Sequence, residues 1–212
     1  EIRNCDWSSD VCSSDLLGYT IKLLGVVKPS RSGDGIHVAV YPALVPDSHV
    51  LANVNGVFNA VYVRGDVVGE TLYYGRGAGQ DATASAVLSD IADAALDLAN
   101  PACHRRPCYA SFGGAPSKLR VKPIAEALNR YYLRLDVVDR PGVLAAIAAV
   151  LAKANIGISS VIQPEGPEGA SVPLMLMIHD ATNEAMARAL AKIARLPVVK
   201  SKPVMIRVEA FD

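Results

Sequence analysis

Along GIHVAVYPALVP (35–46), Ile36, Val38 and Val40 alternate with His37, Ala39 and Tyr41, a period of two that predicts a β-strand stopped by prolines. LGYTIKLLGVVKPS (17–30), rich in β-branched and aliphatic residues and ending at a Pro-Ser-Arg-Ser-Gly turn, predicts a strand before it. NAVYVRGDVVGETLYYG (59–75) holds two strand-like runs around a polar loop with Asp66 and Gly69, and reads as a hairpin. The period then lengthens. In TASAVLSDIADAALDLAN (83–100), Val87, Ile91, Ala94, Ala95 and Leu98 share one helical stripe, which Asn100-Pro101 ends. Residues 101–129, broken by Pro101, Pro107, Gly113, Gly114, Pro116 and Pro123, predict a linker or a strap.

The pattern resets after that segment. NRYYLRLDVVD (129–139) predicts a strand. RPGVLAAIAAVLAKANI (140–156) predicts a helix with Pro141 at its start and Val143, Ile147, Val150, Leu151 and Ala154 on one face. Strands follow at GISSVIQ (157–163) and SVPLMLMIHD (171–180). Next comes a helix over TNEAMARALAKIARL (182–196), with Thr182 as cap and Glu184 just inside, and a last strand within VVKSKPVMIRVEAF (198–211). The order βαββαβ in about 80 residues is that of a ferredoxin-like split-βαβ unit. The expected class is α+β: a partial sheet with a packing helix, then one ferredoxin-like domain over 130–212.

Composition narrows the function classes. Hydrophobic residues make up 51% of the 212 and charged residues 20%, with 21 bases against 21 acids. That balance fits a globular protein and gives nucleic-acid binding no electrostatic support. The longest apolar runs, LLGVV (23–27) and VPLMLMI (172–178), are far short of the roughly 18 residues of a membrane helix. The four cysteines form no disulfide framework, which points to a cytoplasmic setting. Cys103 and Cys108 flank a basic segment, ACHRRPC (102–108). It supplies one pair of candidate zinc ligands where two are needed, so no metal is expected.

The opening segment, EIRNCDWSSDVCSSDL (1–16), has no apolar period and fits neither a secretory signal nor a transit peptide. Residues 6–16 back-translate to a sequencing adapter, and the expectation is a non-native, disordered leader. Without its one base and four acids the rest of the chain carries 20 bases and 17 acids, a net charge of +3.

Two stretches are candidates for chemistry. In YYGRGAGQDATASAV (73–87) a Gly-rich turn joins strand to helix, and its backbone N–H groups can approach an anion closely. Its spacing is neither a dinucleotide fingerprint nor a P-loop, and a turn needing positive φ explains the glycines equally well. In DRPGVLAAIA (139–148) the N–H groups around Gly142, Val143 and Leu144 suit the carboxylate of a small molecule such as a free amino acid. An ordinary capped helix start is the alternative.

The stretches LGYTIKLLGVVK (17–28), YPALVPDSHVLANVNGVFNAVYVRGDVVGETLYYGRGAG (41–79) and TASAVLSDI (83–91) together resemble the later part of bacterial homoserine dehydrogenase. DVVDRPGVLAAIAAVLAKANIGISSVIQ (136–163) resembles the ACT domain that follows it in that family. The likeness runs from residue 17 to the C-terminus. It departs at Ala82 and Val50, where the family usually has proline. The resemblance implies part of a catalytic and dimerisation domain over 17–100, a linker over 101–129 and an ACT regulatory domain over 130–212. It implies NAD(P)-dependent interconversion of L-homoserine and L-aspartate 4-semialdehyde in threonine, methionine and isoleucine biosynthesis.

It also implies a homodimer or higher homo-oligomer, and an amino-acid effector, threonine first. Gly75, Gly77, Ala78 and Gly79 become cofactor-proximal positions for NADP or NAD. Arg140, Gly142, Val143, Leu144, Asn155 and Ile156 become effector positions. In the family the dinucleotide-binding domain and the catalytic lysine lie upstream of LGYTIKLLG. No catalytic residue is therefore expected here, and the chain alone is expected to be inactive. The rival from another class is a stand-alone amino-acid-binding regulator.

Overall fold

The computed structural model describes residues 17–99, 120–164, 166 and 170–211. The leader, ACHRRPC and most of the expected linker lie outside them. Contacts divide the chain into two units, one made of the segments up to Ser48 and from Lys118 onward, the other running from His49 to Ser117. The division at Ser48/His49 falls inside the stretch read from sequence as one domain segment.

In the first unit β1 (Tyr19–Pro29) and β2 (Gly35–Pro46) form a hairpin, in antiparallel register from Tyr19↔Pro46 to Pro29↔Ile36. Its turn is closed by Ser30 N–H donating to the Gly35 carbonyl at 2.8 Å. The Asp34 carboxylate there accepts from Lys122, Ser30 and Ser32.

The βαββαβ unit follows as expected: β6 (Leu128–Val138), α2 (Val143–Lys153), β7 (Ile158–Ile162), β8 (Ser171–Thr182), α3 (Asn183–Ile193) and β9 (Val204–Val208). Its strands lie in the order β7-β8-β6-β9, with every neighbouring pair antiparallel. The sheet does not end there. β9 pairs in parallel with β2 at Ala43↔Arg207 and Leu44↔Val208, and β5 (Arg120–Val121) pairs in parallel with the start of β2. Among the described residues this makes one seven-stranded sheet.

Alternation along β6 explains the two cores. Tyr131, Leu133, Leu135 and Val137 face Ile147 and Leu151 of α2 and Met186, Ala189 and Ile193 of α3. Tyr132 faces the other way, into a cluster with Met175, Met177, Ile206, Val208 and Leu44, flanked by Tyr19 and Ile21 of β1. The N-terminal hairpin therefore packs into the same apolar layer as the strands of the split-βαβ unit.

Several expected boundaries move. Helix α2 starts at Val143 and not at Pro141, because Gly142 takes φ 90° and turns the chain into the helix as its N-cap. Asn155, at φ 56°, ends it in a left-handed conformation. The last strand shrinks to Val204–Val208. Val198 instead enters the core beside α3, and Val199 makes an isolated bridge to Val137. The described part of the expected linker holds β5, a one-turn 3-10 helix at Ile124–Glu126 and the start of β6 at Leu128. Thr182 is the cap expected of it, accepting from the Ala185 N–H at 3.2 Å.

The second unit holds a one-turn 3-10 helix (Val50–Asn53), the hairpin β3 (Phe58–Gly65) and β4 (Gly69–Arg76), and α1 (Gln80–Ala99). The hairpin keeps register from Phe58↔Arg76 to Gly65↔Gly69. Helix α1 starts three residues before Thr83, where the sequence places its start, and buries none of its residues. Val87, Ile91 and Leu98 of the stripe are 51%, 59% and 82% exposed.

Candidate functional site

Strand β6 ends at Val138, and the chain crosses Asp139, Arg140 and Pro141 before Gly142 turns it into α2. This crossing forms one wall of an open depression of about 430 Å³, lined by Asp139, Arg140, Pro141, Gly142, Val143, Leu144 and Gln163. The N–H groups of the first helical turn have no acceptor within the helix, and the helix start carries partial positive charge. The Arg140 guanidinium adds a full positive charge. Opposite in sign stands Asp139, whose carboxylate accepts from Gln163 Nε2 at 2.9 Å. A wall that is cationic at the helix start and anionic at Asp139 matches the two charges of a free amino acid.

Four of the six effector positions expected from the sequence, Arg140, Gly142, Val143 and Leu144, are brought together here. Asn155 and Ile156 are not. They lie past the opposite end of α2, about 16 Å away along an 11-residue helix. Ile156 is 5% exposed and part of the core, with its N–H on the Leu151 carbonyl. Asp139 and Gln163 were missed from sequence. A signal existed: each is the first polar residue after its strand, and β6 and β7, both antiparallel to β8, end at the same edge of the sheet.

The Gly-rich turn belongs to the other unit. Gly75 pairs with Asn59 in the hairpin, and Gly77 N–H donates to the Val57 carbonyl at 3.1 Å. A Cβ on Gly77 would stand 1.6 Å from Asn59 Nδ2, so a side chain there would force Asn59 to move. Gly79 has φ 129°, and its carbonyl accepts from Thr83 N–H in the first turn of α1. Gly75, Gly77, Ala78 and Gly79 are all exposed. Beside them Phe58 and Tyr74 stack at 4.9 Å, and the Arg76 guanidinium lies 5.7 Å from the Phe58 ring centre. Among the described residues no three His, Cys, Asp or Glu side chains gather as a metal site. The Cys103/Cys108 candidate lies outside them.

The family model for homoserine dehydrogenase matches residues 4–92, and that for the ACT domain matches residues 131–198. The chain joins a homoserine-dehydrogenase-like catalytic segment to an ACT domain. The first match begins inside the stretch read as adapter-like, at residues outside those described.

Among curated proteins, the homoserine dehydrogenases of Neisseria gonorrhoeae and Pseudomonas aeruginosa are each 41% identical to this chain. The alignments run over 204 and 206 residues, or 96% and 97% of it. Among solved structures, a homoserine dehydrogenase from Thiobacillus denitrificans superposes with a TM-score of 0.81 at 39% identity, over 96% of this chain and 46% of that one. One from S. aureus gives 0.61 at 25% identity over 96% and 45%. The chain spans about half the length of the curated relatives it matches, 46% and 47% of the two named. The depression described above lies in the ACT domain, and the GRGAG turn in the dehydrogenase-like segment. No helix among the described residues is long and apolar enough to cross a membrane.

Proposed function

We propose that this chain serves an NAD(P)-dependent homoserine dehydrogenase, which interconverts L-homoserine and L-aspartate 4-semialdehyde in threonine, methionine and isoleucine biosynthesis. The observation that carries the reading is the likeness to a solved homoserine dehydrogenase, with a TM-score of 0.81 at 39% identity over 96% of the chain. In functional terms residues 17–100 belong to the catalytic and dimerisation part, 101–129 connect, and 130–212 regulate.

Gly75, Gly77, Ala78 and Gly79 are assigned as a surface beside the nicotinamide cofactor. A Cβ on Gly75 or Gly79 would meet nothing within 4 Å, so the backbone there is open to close approach. The four residues fit a flanking surface and not a cradle, since Gln80 stands where a dinucleotide fingerprint would place its third glycine. The turn's side chains are hydrogens, one methyl and the Arg76 guanidinium, none of which exchanges protons near neutral pH. The 212-residue chain by itself is accordingly expected to lack dehydrogenase activity. Homoserine-dependent NADP reduction by the purified chain tests this, and measurable turnover overturns it.

The ACT depression is assigned to an amino-acid effector, with threonine the first choice. Its carboxylate would meet the α2 start and Arg140, and its ammonium group would meet Asp139. Calorimetry with threonine, repeated on Arg140→Ala, tests the site; no heat at millimolar ligand counts against it. Homo-oligomerisation is part of the same reading. It is supported by the exposed apolar side chains Val61, Val63, Tyr73 and Ile91 on the hairpin and α1.

A further inference from the structure

The carboxylate of Glu209 is almost completely buried, at 1% exposure, just beyond the end of β9. Its partners come from the N-terminal hairpin. Lys28 of β1 makes an ion pair with Oε2, and the Tyr41 hydroxyl of β2 donates to Oε1 at 2.6 Å. The Glu209 N–H also donates to the Leu44 carbonyl at 2.9 Å. Above the Tyr41 ring, at 4.4 Å, lies the guanidinium of Arg207, which also donates to Asn183 Oδ1 at the start of α3. Burial, and next the bond to Glu209, push the Tyr41 phenol up, so it stays a donor.

The backbone contact at this junction is small, since β2 and β9 share two residue pairs in their ladder. A short ladder opens readily on its own. A buried carboxylate behaves differently, because it is tolerated when paired and strongly unfavourable when a partner is removed. Parting the junction would return both charges to water and would expose Leu44 and its apolar layer, so the pairing of Glu209 adds to that packing in holding the hairpin docked. A second tie, exposed and weaker, joins Arg31 in the hairpin turn to Asp180 of β8 at 2.7 Å.

We propose that Glu209, held by Lys28 and Tyr41, is a latch that makes the β1–β2 hairpin a separately releasable extension of the ACT sheet. Motion of β9 is thereby converted into docking or release of the first two strands of the dehydrogenase-like segment. The latch stands on the geometry of β1, β2 and β9 and is independent of what the ACT depression binds.

Amide exchange on the 212-residue chain, read strand by strand, tests it. Lys28→Met leaves the buried carboxylate without its cation. Exchange in β1, β2 and the end of β9 should rise roughly tenfold or more while β6 and β8 keep their protection. Lys28→Arg should restore the wild-type pattern. Tyr41→Phe, which keeps the ring and the ion pair, should give a smaller rise confined to the same strands. If Lys28→Met does not fold, the Tyr41→Phe pattern decides. Unchanged exchange in β1 and β2 would overturn the proposal. So would a rise shared equally by β6 and β8, because the hairpin would then not be separately releasable.

Discussion

Ala43 of β2 and Arg207 of β9 lie directly opposite each other in parallel register, two residues before the buried Glu209. Through this pair a hairpin from one end of the chain continues a sheet built from the other end. Leu44, the next residue, pairs with Val208 and is fully buried in the cluster that also holds Tyr132 and Ile206. The ACT domain of this protein therefore shares its sheet and one of its two apolar layers with residues that precede it by more than eighty positions.

The helix-side core should be the most sensitive part of that domain. Ile147 is fully buried between β6 and α3. Ile147→Ala should destabilise the first unit by about 2–5 kcal/mol through lost contacts and the cavity left behind. Leu144, one turn earlier and 40% exposed, should lose much less on the same change. Denaturant midpoints of the two variants make the comparison.

The cap of α3 is a smaller and cleaner case. Thr182→Ala removes the acceptor for the Ala185 N–H and should lower stability by about 1 kcal/mol. Thr182→Ser keeps the oxygen and should recover most of it. Thermal melts of the three chains would show the ranking.

A side chain at Gly77 should be accommodated only if Asn59 moves. In Gly77→Ala the new methyl meets the Asn59 amide, and the overpacking should weaken the β3–β4 hairpin by about 1–3 kcal/mol. Adding Asn59→Ala removes the nearest atoms and should return a large part of the loss. Amide exchange across Phe58–Gly65 is the readout, and equal effects of the single and double variants would contradict the crowding.

The β1–β2 turn should respond to acid. The Lys122 ammonium, and after it the Ser32 hydroxyl, hold the Asp34 carboxyl well below the usual carboxylate range. Its folded-state pKa is lower than its unfolded one, so its contribution to stability is present above about pH 4. That contribution is lost as the pH falls through the folded value. Carboxyl NMR titration should place the Asp34 midpoint below that of a free aspartate, and Lys122→Met should move it up. The carboxylate is exposed, so the effect on global stability should be slight.

Alternation made the strands legible. His37 against Val38 in β2 has the period that the sheet imposes, whereas Tyr132 and Leu133 of β6 are both buried, on opposite faces. Helix α3 was legible for the same reason, with Met186, Ala189 and Ile193 buried at helical spacing and Thr182 in front. The misses have local causes. Pro141 looked like a first helical residue, but Gly142 after it adopts a positive φ that no helix accommodates. Val198 looked like strand because it is apolar, yet it is buried from a turn.

In the ACT depression, Arg140 to Leu144 were legible as a contiguous run. Gln163 was not, because it reaches Asp139 across strand ends that sequence spacing does not display. Lys28 was read as part of a strand and nothing more. Its pairing with Glu209 depends on a β2–β9 contact that no local pattern announces.

Seating β2 on β9 also decides where the ACT sheet can grow. In the order β7-β8-β6-β9 taken alone, both β7 and β9 would be outer strands, each with a row of backbone groups open to another strand. With β9 covered by the chain's own hairpin, that flank is closed to strand addition at Arg207 and Val208. On the ACT side, β7 is left as the outermost strand among the described residues. The outer strands of the extended sheet are therefore of unlike origin, β7 from the ACT domain and β1 from the hairpin, so a strand added at one edge meets a different surface from a strand added at the other.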